Sequence, residues 1–507
     1  LTVDALEACR AEIALALHPE NFDGPSHTTT RTVELSAGRH TLSLIWDLPE
    51  LPRWEIWERG FPHLFRLEAL LGDQRLTAPI GFRTIDREDA WLVLNERRVF
   101  LRGTNIIPTQ WLAAYTPEDA ARDVRLLKEA HLNAVRVHAH LTHPAFYEAC
   151  DREGILVWQD FPLQWGYAED EAFIREALRQ ARAMVEHFGA HPCIFLWCAH
   201  NEPTHNRHTL APLVAAAIRA ADPTRPVKEA SDFREHPYPG WYWGHLRDFQ
   251  ALPGAPLPSE FGAQALPRAE RLRRALGEDA WPPKWETWVY HNFQPEQTFR
   301  VAGIEMGESL EAFVENSQRY QARLIEFAIH TYRRAKGRVV GYFHFMFVEP
   351  WEGITWAVLD VERVPKRGYF ALQQASSPVL VSIVPYVERA GVGQPPFREI
   401  WAISDLDRPL SLRVSLRLEG PVALPLGEMT VDLGPHEARC IFNVMELFEA
   451  PLEQREALDT ASAILRELPP GRYQVIAEAR EGERLWSRHT VEIEYLEPLI
   501  KEEGGFW

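Results

Sequence analysis

The chain opens with short runs in which apolar and polar positions partly alternate. AEIALAL (11–17), TTTRTVEL (28–35), HTLSLIWDL (40–48) and HLFRLEALL (63–71) are broken by Pro, Gly and Asp clusters, and no helical period appears among them. This predicts a small antiparallel sandwich over residues 1–83. From 84 to 376 the pattern changes, and short apolar runs alternate with longer amphipathic ones. VFLRGTNIIP, NAVRVHAH, ILVWQDF, CIFLWCAHNE, RPVKEAS, WYWGHL, PLPSEFG and VVGYFHFMF are eight strand candidates. Between them lie helical stretches with readable ends: Thr116 as N-cap with Pro117 at the first helical position, and a stop at Gly154. About 290 residues of βα rhythm fit one (β/α)8 barrel, typically about 250 residues plus insertions. A doubly wound open sheet requires a Gly-rich phosphate turn after its first strand; GTNIIP has no such pattern. Residues 377–507 return to strand-like alternation, for example LSLRVSLRLEG and RHTVEIEYL, with a helix-like excursion over 445–467. The predicted architecture is therefore multidomain, α/β plus all-β: a TIM barrel flanked by β-sandwiches.

Composition narrows the function. The chain has 507 residues and a formal net charge of -18, with no basic run of the kind a nucleic-acid binder presents. No stretch approaches the roughly 20 apolar residues of a membrane span. Five cysteines without a C-x-x-C pair suggest neither a zinc site nor a disulfide framework, and fit a reducing, cytoplasmic setting. Position 1 is Leu, and LTVDALEACR lacks the features of a signal peptide, which is compatible with a missing native start. Eighteen tryptophans are a surplus, and Trp makes a flat platform for the apolar face of a sugar ring as well as a core filler.

Barrel chemistry sits at the C-terminal ends of the strands. Those ends carry Asn105, then Arg136, His138 and His140, then Trp158 and Asp160, then Trp197, His200, Asn201 and Glu202, then Trp241, Tyr242 and Trp243, and finally Ser259 and Glu260. Glu202 follows the apolar run CIFLW and Glu260 follows PLPS. On strands four and seven their carboxyls would face each other across a pocket, about 5 Å apart in a retaining glycosidase or about 6.5–9.5 Å in an inverting one. Period-two alternation puts His138 and His140 on one face, where with Asp160 they would form a possible metal set. No matching downstream ligand series follows, so neither metal nor cofactor is expected.

HNEP (200–203), PLPSEFGAQALP (256–267) and NAVRVHAHLTHPAFYEACDREGILVWQDFP (133–162) carry a family resemblance. Together with PRWEIWERGFPHLFRLEALL (52–71), SQRYQARLIEFAIHTYRR (317–334) and PKRGYFALQQASSPVLVSI from 365, they make nearly the whole chain resemble glycoside hydrolase family 2. That family lies in the clan of retaining (β/α)8 glycosidases, and the likeness is to its β-mannosidase-like branch. It implies immunoglobulin-like flanking sandwiches and a retaining exo-β-glycosidase acting on terminal β-linked sugars, with no nucleic-acid or membrane partner. The sequence carries no signal for oligomeric state. By the resemblance Glu202 is the general acid/base and Glu260 the nucleophile. Asn201 meets the sugar 2-hydroxyl, Arg136 favours ionised Glu260, and His138 and Asp160 bind hydroxyls. Trp158, Trp197, Trp243, Phe345 and Trp351 are candidate sugar contacts. β-Galactosidase, β-glucuronidase and exo-β-glucosaminidase activities, or a catalytically weak carbohydrate-binding homologue, stay open. Two features depart from the family. Its eighth strand usually ends Trp-Gln-x-Asn-Asp-x-Trp-Pro, whereas here it reads Phe345-Met346-Phe347-Val348-Glu349-Pro350-Trp351-Glu352. Its members also begin with a jelly-roll domain, so this sequence is expected to be a fragment or to lack that domain.

Overall fold

The computed structural model describes residues 1–251, 254–385, 389–391, 397–444 and 468–496; the helix-like stretch 445–467 lies outside them. Six parallel strands form the central sheet, in the order Val227–Lys228, Ile194–Cys198, Leu156–Asp160, Ala134–Val137, Leu101–Ile106 and Gly341–His344. Their side chains are almost wholly buried on both faces, as expected when helices cover a parallel sheet. Helices Pro117–Glu129, Pro144–Glu153, Glu171–Phe188 and Leu210–Ala221 connect successive strands, and Leu310–Arg334 precedes the last. Their ends follow the sequence signals. Thr116 and Asp119 form a reciprocal capping box, and Gly154 closes its helix in the left-handed conformation at φ 68°.

Two of the eight expected strands do not form. Residues 241–246 are a turn running into a short 3-10 helix. PLPSEFG is extended but joins its neighbour through isolated hydrogen bonds: Val340, Phe343 and Phe345 N–H groups donate to the carbonyls of Pro256, Pro258 and Phe261. Ser259 and Glu260 N–H groups donate to the Glu235 carbonyl, and the Glu202 N–H donates to Ser231. These bonds carry the circuit from the last strand to the strand bearing Glu202. Gly262 makes the seam possible, because at φ 158° a Cβ would sit 2.3 Å from the Phe345 carbonyl oxygen.

Antiparallel sheets lie on either side in the chain. Strands 27–35, 9–19, 65–71 and 74–80 form one sheet in that order, and Ile13, Leu15 and Ala69 make its small core. A three-stranded sheet (Ile85–Glu88, Trp91–Leu94, Arg97–Val99) precedes the parallel strands, a unit the βα reading of this stretch did not foresee. Towards the C-terminus, strands 379–385, 397–404 and 438–443 face a second sheet containing 410–419, 424–433, 471–481 and 484–496. Val381, Ile383 and Ile400 from the first meet Leu412, Val414 and Val475 from the second. Strand 410–419 alternates buried and outward positions, as the sequence pattern required. Among the described residues, no helix is long and apolar enough to cross a membrane.

A buried charge cluster joins these parts. Arg102 on the first parallel strand pairs with Glu58 and, at 2.9 Å, with Asp405. Asp405 also takes Arg333 at 2.9 Å and Lys336. Burial opposes the Asp405 charge, but Arg333, Lys336 and Arg102 outweigh it and hold the carboxyl well below the usual carboxylate range. Removing this one acid strands several buried cations, so Asp405→Ala should cost about 3–5 kcal/mol in chemical denaturation. Arg389→Ala, which breaks an exposed pair with Glu494, should cost less than about 1 kcal/mol. Equal losses in the two variants would contradict this reading.

Candidate active site

Arg136 organises the mouth of the parallel sheet. Its guanidinium is fully buried, and Nε donates to Asp160 Oδ2 at 3.0 Å. Nη2 donates to Asn201 Oδ1 at 2.7 Å and Nη1 to Glu260 Oε1 at 3.2 Å. Asp160 is further fixed by the Trp158 indole N–H (2.8 Å) and the Ala139 backbone N–H (3.0 Å). One cation thus aligns the ends of three strands and the segment bearing Glu260.

Glu260 is buried and has three more neighbours. Tyr238 donates its phenol O–H to Oε2 at 3.0 Å; His138 Nε2 lies 3.2 Å and His236 Nε2 3.5 Å from Oε1. The His138 contact is not aligned as a hydrogen bond. Burial alone would raise the Glu260 pKa, but His236, His138 and Arg136 prevail and hold the carboxyl well below its usual range. Burial and the Glu260 charge push the Tyr238 phenol well above its ordinary value, so it remains a donor.

Glu202 sits in a left-handed conformation at φ 46° and is half-buried. Its Oε1 accepts from His236 Nδ1 at 2.8 Å and its Oε2 from the Trp165 indole N–H at 3.1 Å. His236 Nε2 and the Ser231 hydroxyl share a hydrogen bond at 3.0 Å, and Ser231 meets Ser259 at 2.8 Å. The nearest atoms of Glu202, His236 and Glu260 all lie within 4.8 Å of one another. That spacing also suits ligands of a cation. However, the Arg136 guanidinium already stands against Glu260, and a bound cation would have to share that oxygen with a fixed positive charge. The set suits carboxylate chemistry better.

Glu202, Glu260, Asn201, Arg136, His138 and Asp160 therefore converge as the sequence suggested. The tryptophans do not follow it. Trp158 and Trp197 are 0% exposed. Trp158 lies under the Arg136 guanidinium, and Trp197 bonds Asp222 at 2.8 Å beneath Arg225, so neither offers a face to a sugar. Trp243 is exposed on the 239–243 turn, and Trp351 stacks on His291 at 5.3 Å beside the Trp285–Tyr290 helix; neither is among the described side chains that bond Glu202 or Glu260. Phe345 is half-buried, with its ring 5.2 Å from His138 and 5.8 Å from Trp356. Trp356 continues through Tyr242 to Tyr238, making an aromatic arc beside Glu260. His138 and His140 do not share a face. The strand ends at Val137, Ala139 turns left-handed at φ 52°, and His140 Nδ1 folds back to the His138 carbonyl. His236, Tyr238 and Trp165 escaped sequence reading because they lie in loops with no apolar period.

Several imidazoles near the strand ends are buried neutral. Burial drives His140 and His200 down to about 4 and His344 to about 3. In the unfolded chain a histidine titrates near 6.5. Between pH about 6.5 and 4 the unfolded chain therefore binds protons that the fold refuses. Their contribution to stability is complete above about 6.5 and is lost as pH falls towards 4. The melting temperature should drop between pH 7 and pH 5; an unchanged value would show that these groups do not govern acid stability.

Comparison with known proteins adds a lineage. Residues 85–239 match the model for glycosyl hydrolases family 2, TIM barrel domain. The chain is similar to beta-mannosidase B of Aspergillus niger, 24% identical over 433 residues that cover 71% of this chain and 51% of the relative. It is also similar to Beta-galactosidase 2 of Enterobacter cloacae, 29% identical over 205 residues, 38% of this chain and 19% of the relative. Its fold matches the crystal structure of beta-D-mannosidase from Dictyoglomus thermophilum with TM-score 0.82 at 20% identity, covering 97% of this chain and 64% of that one. The chain spans about a fifth to about a half of the length of the curated relatives it matches.

Proposed function

We propose that this chain, whose residues 85–239 match the glycosyl hydrolases family 2 TIM barrel domain, is a family 2 retaining exo-β-glycosidase of the β-mannosidase-like type. The observation that carries the reading is the approach of Glu202 and Glu260 oxygens to within 4.8 Å. That favours a covalent intermediate over a water-spanned, inverting arrangement. The flanking antiparallel sheets are read as immunoglobulin-like sandwiches, with boundaries near 83/84 and 376/377, and the location as cytoplasmic.

In the first step a Glu260 oxygen attacks the anomeric carbon of a terminal β-linked sugar. Glu202 gives its proton to the glycosidic oxygen, and the alcohol leaves. Arg136, Tyr238 and the histidines keep Glu260 ionised and aimed, which is what a nucleophile needs. In the second step Glu202 takes a proton from water, which attacks the glycosyl ester and frees the sugar with its configuration retained. Arg136 holds the oxygen end of the Asn201 amide, leaving the NH2 end to donate to the 2-hydroxyl. Phe345 and Trp356 form the pocket floor.

The eighth strand favours a second reading, a weakly catalytic carbohydrate binder. Met346 and Val348 replace the family's polar residues, and both are buried, so this stretch offers a sugar little beyond the Phe345 ring. A panel of p-nitrophenyl β-mannoside, β-galactoside, β-glucuronide and β-glucosaminide separates the two. Release from at least one by wild type, abolished in Glu260→Ala, is expected; Glu202→Ala should lose activity on the methyl β-glycoside of the same sugar, whose leaving group needs a proton. Azide should rescue Glu260→Ala with an inverted glycosyl azide. No release from any substrate would leave the binder.

Tyr238→Phe keeps the ring but removes one donor from Glu260. Activity at the optimum should fall by about 10- to 100-fold, the scale of one charged hydrogen bond. An unchanged kcat/KM would remove Tyr238 from this role.

A further inference from the structure

The two oxygens of Glu202 face different surroundings. Oε1 accepts from His236, which is buried, whereas Oε2 accepts from Trp165, which is 58% exposed. Arg136, His138, His236 and Tyr238, which surround Glu260, are all buried. Burial therefore runs from Glu260 outward through Glu202 to the Trp165 indole. If Glu202 protonates the glycosidic oxygen, the group beyond that oxygen departs along the same direction. A ring bonded to the acid's outer oxygen stands on the leaving-group side.

The backbone commits Trp165 to that place. The residue sits in the left-handed region at φ 67°, uncommon for so bulky a side chain and characteristic of functional turns. Its N–H donates to the Asn201 carbonyl at 3.1 Å, and its own carbonyl accepts from Thr204 N–H and His200 Nε2, each at 3.1 Å. At the following residue, Gly166, a Cβ would lie 2.8 Å from the His205 ring and from Thr204 Oγ1, so the loop is pressed against the Glu202 segment. The fold thus holds a large apolar side chain in solvent beside the acid. A core role does not explain this, and a surface indole is a natural stacking platform.

We propose that Trp165 forms a leaving-group subsite for a ring with a flat C–H or aromatic face, either the next pyranose of a β-linked oligosaccharide or an aryl aglycone. This rests on the assignment of Glu202 as the acid. It goes beyond that assignment by naming what the enzyme prefers on the far side of the bond it cleaves. The indole N–H positions the carboxyl, and the indole face holds the departing ring.

The test compares three substrates bearing the same terminal sugar, chosen by the panel above: a methyl β-glycoside, a benzyl β-glycoside and a β-linked disaccharide. The readout is kcat/KM on each ring substrate divided by kcat/KM on the methyl glycoside. All three leaving groups are alcohols that need the proton from Glu202, so general damage to the acid lowers numerator and denominator together. In Trp165→Ala the quotient should fall at least tenfold for one or both ring substrates. In Trp165→Phe, which keeps an aromatic face and loses the N–H, it should stay within about threefold of wild type while all absolute rates decline. A fall confined to the disaccharide assigns a sugar subsite, and one confined to the benzyl glycoside an aryl subsite. An unchanged quotient in Trp165→Ala, whether absolute rates drop or not, overturns the subsite. Failure of wild type on every glycoside would instead reject the glycosidase reading itself.

Discussion

The site depends on one buried guanidinium. Arg136 has no water to solvate it, so its charge must be met by protein groups. Asp160, Asn201 and Glu260 meet it, and they come from two neighbouring strands and a segment about a hundred residues further along. A buried cation penalises any arrangement in which one of these partners drifts away. The carboxylate at position 260 is therefore fixed for electrostatic reasons before any substrate arrives. The cation that demands Glu260 also joins His236 and His138 in keeping it charged, so positioning and activation share this contact.

Much of this was legible in the chain. Helix ends were fixed by local chemistry: the Thr116 hydroxyl and Asp119 carboxyl satisfy orphan backbone groups, and Gly154 supplies the left-handed stop. Glu202 was legible because it follows an apolar strand that ends at the sheet mouth, whereas Glu260 was marked by the PLPSEFG motif, whose segment is extended but forms no strand. Reading failed where periodicity carries no information. A strand covered on both faces shows no alternation, so Trp158 and Trp197 could not be separated from mouth residues. His140 was misplaced by one left-handed residue, Ala139, which breaks the period-two assumption. His236 and Tyr238 lie in the loop between the RPVKEAS and WYWGHL runs, where no apolar period announces them.

The two carboxylates differ because their surroundings differ. Glu260 is enclosed by a guanidinium, a phenol and two imidazoles, while Glu202 has one buried imidazole and one exposed indole. On the proposed mechanism, the carboxylate that has to stay ionised through the first step is the one held by fixed charge, and the one that exchanges protons with leaving group and water is the one with access. His236 touches both and is placed to make the state of either felt by the other.

The Asp405 cluster bears on how the molecule comes apart. Glu58, Arg102, Arg333, Lys336 and Asp405 belong to the N-terminal stretch, the first parallel strand, the long helix and its end, and the C-terminal sheets. None of these segments can peel away without leaving another segment's charge in a dry interior. Domains that look separable along the chain are thus bound into one cooperative foldon. Cutting the gene at the composition boundaries should yield pieces that do not fold alone, although each has a sheet of its own.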